Sequence, residues 1–215
     1  MGLSVPRILC YGSSQATFFE QPVDFGTILM TKLPGKTLDQ IHESFSIEEL
    51  AVIRSEISEQ LNKMRAFTSP FGGAVCGPHG GSVRSLVIPL SYCDRSEDVD
   101  SFYDNHIFSF AIQATPVMKK MLFNVQKLKS FGHRIVFAHG DLQPHNIMVE
   151  DGHVTGIIDW EFGAWLPEYW DYVNPLTRMD DNWRHDIMWK IPGHERYLEE
   201  RDLWTQLMFL IEETL

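Results

Sequence analysis

Phe137-Ala-His-Gly-Asp-Leu-Gln-Pro-His-Asn-Ile-Met-Val-Glu-Asp-Gly-His-Val-Thr-Gly-Ile-Ile-Asp-Trp-Glu161 decides the fold of this chain. After Asn146, Ile147 to Val149 have strand character. Asp151-Gly152 is a two-residue hairpin signal, and His153 to Ile158 return as the partner strand. The hairpin brings Asp159, thirteen positions after Asn146, back beside it. Asp141 stands five residues before Asn146 in a turn-prone loop with Pro144, which holds its carboxylate near the same place. Two carboxylates and one amide thus converge at the mouth of one hairpin. Such hard oxygen donors suit magnesium, which keeps waters and substrate phosphates in its shell, and not a soft metal. A hydroxyl attacking a phosphoryl group needs a base to take its proton and cations to neutralise the phosphate oxygens. The residues predict metal-assisted phosphate chemistry, with Asp141 as the base and Asn146 and Asp159 as metal ligands.

Taken singly, Asp-x-x-x-x-Asn is most often a capped turn and Asp-Trp a strand end. Together they carry a resemblance. His139-Gly140-Asp141-Leu142-Gln143-Pro144-His145-Asn146 resembles the catalytic loop of the aminoglycoside phosphotransferase and choline kinase-like family, where glycine follows the histidine and protein kinases have arginine. Ile157-Ile158-Asp159-Trp160-Glu161 resembles that family's metal-binding segment. The resemblance implies an α/β, mainly helical fold, the large lobe of a protein kinase-like enzyme, using ATP and magnesium. It also implies that His139 braces the loop and that Asp171, in Pro167-Glu-Tyr-Trp-Asp-Tyr172, stabilises the lobe. His145 and His153 read as surface or loop histidines.

Composition narrows the partners. The chain has 215 residues, 44% apolar and 22% charged, which is ordinary for a globular protein. A formal net charge of −11 with no basic stripe excludes a nucleic-acid partner. Cys10, Cys76 and Cys93 are odd in number and widely spaced, reading as reduced thiols rather than a disulfide framework or zinc site. No apolar run approaches membrane-spanning length, and Met1 to Pro6 lacks the pattern of a signal peptide, so the expected location is the cytoplasm.

In chain order, Val5 to Tyr11 reads as a strand stopped by Gly12-Ser13-Ser14 and continued over Thr17 to Glu20, with Gly26 to Lys32 as a further strand. Ile28-Leu-Met-Thr-Lys-Leu-Pro-Gly-Lys-Thr-Leu38 resembles the last small-lobe strand and hinge of the family, which implies that the backbone of Met30, Thr31, Lys32 and Leu33 holds adenine. Residues 1–35 would be a remnant of the small lobe and 36–215 the large lobe.

Ser46 and Glu49 form a capping box for an amphipathic helix over 47–67. Phe71 to Ser82 is glycine-rich but lacks the Gly-Lys-Ser/Thr of a phosphate loop. It reads as an excursion between helices, similar to a loop of fungal-type family members, that lines the substrate side. Helices are expected over Ser96–Phe110, from Pro116 to near Gly132, and over Glu195–Glu213, with a buried strand at Ile135–Ala138. Trp165, Tyr169, Trp170 and Tyr172 would form either an aromatic cage for a cationic amine or buried packing, the latter being the commoner outcome; Trp183 continues the series.

The family's glycine-rich hairpin, strand lysine and helix glutamate are expected to precede the point where this chain starts. Three functions follow as expectations. One is a small-molecule phosphotransferase acting on a hydroxyl or amino-alcohol acceptor. Another is a noncatalytic or truncated kinase-like protein, whose exposed hinge side would favour a homodimer. The last is an ATP-independent enzyme using Asp141 and Asp159 as acid and base.

Overall fold

A computed structural model describes residues 2–18, 21–85, 92–108, 116–173 and 187–212. Strands β1 (Ile8–Phe18) and β2 (Gln21–Met30) form an antiparallel ribbon, paired from Ile8 opposite Met30 to Phe18 opposite Gln21. Gly12-Ser13-Ser14 does not stop β1 as expected. Gly12 pairs with Thr27 and Ser14 with Phe25, so the ladder of β2 carries the strand through residues of low intrinsic strand preference. The expected continuation at Phe19 and Glu20 lies outside the described residues. β2 ends at Met30, and Thr31 closes the ribbon instead by donating its N–H to the Arg7 carbonyl at 2.9 Å.

The chain then leaves the ribbon. β3 (Lys36–Thr37) follows Gly35, whose φ of +89° and closeness to Val149 admit no side chain: a Cβ there would lie 2.0 Å from the Val149 carbonyl oxygen. α1 (Leu38–Ile41) leads to α2 (Ile47–Arg65). Ser46 caps α2 with both arms of the capping box, the Ser46 hydroxyl accepting from Glu49 N–H and the Glu49 carboxylate from Ser46 N–H. Its stripe of Ile53, Ile57, Leu61 and Met64 is fully buried, and each contributes about 1.5–3 kcal/mol of apolar burial.

The excursion comes next. Val75 bridges Ser96 and Cys76 bridges Trp165, and the short pair β4 (Val83–Arg84) and β5 (Tyr92–Cys93) closes on itself. Residues 86–91 lie outside the described residues. The helix expected from Ser96 begins later, as α3 (Val99–Phe102), because the Asp98 carboxylate caps it by accepting Ser101 N–H at 2.7 Å. It continues as a π-helical turn over Tyr103–Ile107, and Ser109 and Phe110 lie outside the described residues. α4 (Pro116–Val125) runs into a 3-10 turn that stops at Gly132, left-handed at φ +65°.

β6 (Ile135–Ala138) falls where the sequence puts it. β7 (Ile147–Glu150) and β8 (His153–Ile157) form the expected hairpin, turning on Asp151 at φ +51° and Gly152 at φ +79°. β3, β7 and β8 make a three-stranded sheet, and β9 (Ala164–Pro167) pairs with β6. The N-terminal segment lies across the same sheet, where Ile157 donates its N–H to the Ser4 carbonyl. Short α5 (Trp170–Val173) precedes a 3-10 turn at His194–Tyr197 and the C-terminal helix Leu198–Glu212. That helix starts three residues after the expected Glu195, the intervening residues being 3-10; Trp183 and Glu213 lie outside the described residues.

Of the aromatic cluster, Trp165, Tyr169, Trp170 and Tyr172 are all buried. Trp170 and Trp204 meet edge to face at 5.0 Å, and Tyr103 and Tyr169 share a hydroxyl hydrogen bond in the core. These rings pack; they form no open cage. Among the described residues no helix is long and apolar enough to cross a membrane.

Candidate active site

The site sits where β6 delivers its loop beside the mouth of the β7–β8 hairpin. Asn146 ends a 3-10 turn begun by Pro144, and its carbonyl accepts the N–H of Ile158 at 2.9 Å. That bond places Asp159 immediately beside the loop, as the spacing predicts. Asp141 is buried, and its carboxylate accepts from Gln143 Nε2 at 3.0 Å on one oxygen and from Asn146 Nδ2 at 3.3 Å on the other. Asn146 Nδ2 also donates to the Asp141 backbone carbonyl at 2.9 Å. The amide nitrogen being committed in this way, the Asn146 oxygen is the face left for a cation.

Asp159 is exposed and left-handed, at φ +63° and ψ +62°. A non-glycine residue in that region carries backbone strain, which persists where the surroundings impose it. The donor set of Asp159 carboxylate, Asn146 amide oxygen and nearby Asp141 fits a hard divalent cation rather than a soft one.

Two residues brace the loop. The His139 ring accepts Asp141 N–H on Nδ1 at 3.2 Å and donates from Nε2 to the Ile158 carbonyl at 2.9 Å, which fixes the tautomer with its proton on Nε2. One imidazole therefore ties the Asp141 loop to the segment carrying Asp159. Beneath it, the buried Asp171 carboxylate accepts the N–H groups of His139 at 2.8 Å and Gly140 at 2.9 Å. Burial pushes the Asp171 carboxyl above its ordinary value, opposed by these two backbone donors and Arg65. Gly140 is left-handed at φ +83°, and a Cβ on it would lie 2.2 Å from the Phe162 carbonyl oxygen. The loop and the turn that follows Asp159 thus touch backbone to backbone.

A cleft of about 570 Å³ opens between the ribbon and the lobe, lined by Ile8, Ile28 and Met30 from the ribbon, Leu3, Val5 and Pro6 from the N-terminal segment, and Phe137, Asp159, Trp160 and Glu161 from the lobe. Of the four predicted hinge residues, Met30 reaches this lining. Thr31 is tied to Arg7, its hydroxyl accepting Arg7 N–H at 2.8 Å, Lys32 is exposed, and Leu33 packs against Gly156. The structure thus brings Asp141, Asn146, Asp159, His139 and Asp171 together, and the hinge only in part. Sequence reasoning missed Gln143 as a donor to Asp141, although a polar residue two positions on is a usual local partner. It also missed Arg84, whose guanidinium meets Glu161 at 2.5 Å across 77 positions.

Residues 90–207, more than half of the chain, match the sequence model of the phosphotransferase enzyme family. The chain belongs to that family. Its fold is the protein kinase-like fold of the aminoglycoside phosphotransferases. A thermostable mutant of aminoglycoside phosphotransferase APH(4)-Ia, in its apo form, superposes with a TM-score of 0.58 at 13% identity, covering 97% of this chain and 68% of that one. The streptomycin–ATP ternary complex of APH(2")-IIa superposes with a TM-score of 0.51 at 13% identity, over 94% of this chain and 64% of that one.

In sequence, clavilactone A biosynthesis cluster protein Y of Ampulloclitocybe clavipes is 25% identical over 228 aligned residues, which cover 88% of this chain and 54% of that protein. The chain spans about half the length of this curated relative.

Proposed function

We propose that this member of the phosphotransferase enzyme family transfers the γ-phosphoryl group of ATP to the hydroxyl of a small acceptor, with magnesium held by Asn146 and Asp159. One observation carries the reading: the amide nitrogen of Asn146 is spent on Asp141, so its oxygen and the exposed Asp159 carboxylate are left to face a cation beside a buried, hydrogen-bonded carboxylate. Magnesium, when bound, neutralises charge on the phosphate oxygens. Asp141 orients the acceptor hydroxyl and takes its proton as the oxygen–phosphorus bond forms and ADP leaves with the electron pair of the broken bond. Gln143 and Asn146 hold the carboxylate in place for that transfer. His139 keeps the loop and the metal segment at fixed separation.

The net charge of −11 favours a cationic or amino-bearing acceptor such as an amino alcohol. Three free thiols, Cys76 and Cys93 buried and Cys10 exposed, support a reducing, cytoplasmic setting. Calorimetric titration with ATP, with and without magnesium, tests the reading. Magnesium-dependent binding that Asp159→Ala abolishes is the expected result; no binding at millimolar ATP would sink it.

A second reading, a chain that holds ligand without transferring phosphate, is favoured by one feature. The ribbon leaves Leu9, Tyr11, Ile28 and Leu29 exposed, a surface that suits a homodimer through the hinge side. Binding of magnesium–ATP without single-turnover transfer to any acceptor would select it.

A further inference from the structure

The excursion brings one more charge to the cleft. Val83 and Cys93 are buried and anchor the β4–β5 pair, so that their neighbours Arg84 and Tyr92, opposite each other in register, are held outward. The Arg84 guanidinium lies over the Phe162 ring at 5.2 Å and 5.9 Å from the Tyr92 ring, and its Nη1 pairs with Glu161 Oε2 at 2.5 Å. Glu161 lines the same cleft as Asp159, two residues away, whereas Arg84 is not part of that lining and reaches Glu161 from the excursion side.

The two carboxylates have different consequences for a polyphosphate. Asp159 has a use, as a cation ligand. Glu161 is instead paired with a cation of the chain itself, and left bare it would repel the phosphates from the wall they must approach. The pair is half-exposed, 45% for the Arg84 side chain and 43% for Glu161, so it adds little to folding, yet it changes the net charge of the cleft wall by one unit.

We propose that Arg84 is a positioning residue for the nucleotide, acting through Glu161: it masks that carboxylate so that the phosphate end of ATP meets Asp159 without an uncompensated negative neighbour. The inference rests on the phosphotransferase reading and adds to it a residue, and a role for the excursion, that the motif residues do not include.

The test titrates magnesium–ATP and, separately, adenosine into the full chain by calorimetry, at low and at high salt. Arg84→Met is expected to weaken magnesium–ATP about tenfold at low salt and less at high salt, the scale of one unit charge acting on a polyanion near a surface. Adenosine, without phosphates, is expected to bind as before. Arg84→Lys keeps the charge and most of the affinity, and adding Glu161→Gln to Arg84→Met restores ATP binding because no carboxylate is left to mask.

Three results overturn the proposal while leaving the phosphotransferase reading intact: Arg84→Met without effect on ATP, an equal loss for ATP and adenosine, or a double variant that stays as weak as Arg84→Met. The third would mean that the guanidinium contacts the phosphates itself. Failure of the wild-type chain to bind magnesium–ATP at all overturns the phosphotransferase reading, and this inference with it.

Discussion

Replacing Asp171 by alanine tests the frame on which the loop of Asp141 stands. The carboxylate is buried and accepts two backbone N–H groups, from His139 and Gly140, at 2.8 and 2.9 Å. Alanine leaves both donors orphaned in the interior, at about 1–3 kcal/mol each, or about 4 kcal/mol together. Part of that is returned. Burial pushes the Asp171 carboxyl above its ordinary value, so the folded chain at neutral pH bears a desolvation cost that alanine removes. The net loss is below about 4 kcal/mol, which for a domain of this size lowers the melting temperature by up to about 8–16 °C. Asp171→Asn keeps one oxygen acceptor and is expected to lose about half as much.

Urea denaturation gives the free energies, and amide hydrogen exchange at His139 and Gly140 reports whether the loss is local to the loop. Alanine within about 1 kcal/mol of wild type, or asparagine as damaging as alanine, would refute the idea that these two bonds hold the loop.

Two further expectations follow from local geometry. Gly140→Ala places a Cβ where only 2.2 Å separates it from the Phe162 carbonyl oxygen, at a φ of +83°. It is expected to destabilise the chain by more than about 2 kcal/mol, measured by thermal and urea unfolding, since both the strain and the clash must be relieved by moving the loop. Glu56 holds His153, accepting from its Nδ1 at 2.7 Å, and raises the His153 pKa above its ordinary value of 6.5. A raised histidine contributes stability that is complete below about pH 6.5 and is lost as pH rises through the folded value. Glu56→Gln should flatten that fall in stability above about pH 6.5, and a variant whose profile keeps the wild-type slope would refute the assignment.

Where chemistry is local, the sequence alone was sufficient. Asp151-Gly152 turns the hairpin because two successive residues must adopt positive φ, which few other pairs accept. Ser46 and Glu49 start α2 by a bond pair three residues apart. The convergence of Asp141, Asn146 and Asp159 followed from that hairpin, and the bracing by His139 and Asp171 from the family resemblance.

What escaped was decided by partners distant in the chain. β1 passes through Gly12-Ser13-Ser14 because β2 supplies its ladder. No local pattern announces the π-helical turn over Tyr103–Ile107, and Phe102 just before it packs on Trp170, far along the chain. Arg84 could not be matched to Glu161 when 77 residues separate them and nothing in either neighbourhood names the other.

The β1–β2 ribbon has a consequence for how the molecule behaves in bulk. It presents Ile8, Leu9, Tyr11, Ile28 and Leu29 to water on a sheet that is two strands wide among the described residues, which is the kind of surface that recruits another strand. At neutral pH a net charge of −11 keeps molecules apart, acting as a colloidal brake on an adhesive ribbon. The brake releases as the medium approaches the isoelectric point near 5.2, and it weakens in salt. Dilute, mildly alkaline, low-salt buffer is therefore the condition in which this chain remains dispersed, and its shelf life is set by electrostatics as much as by its fold.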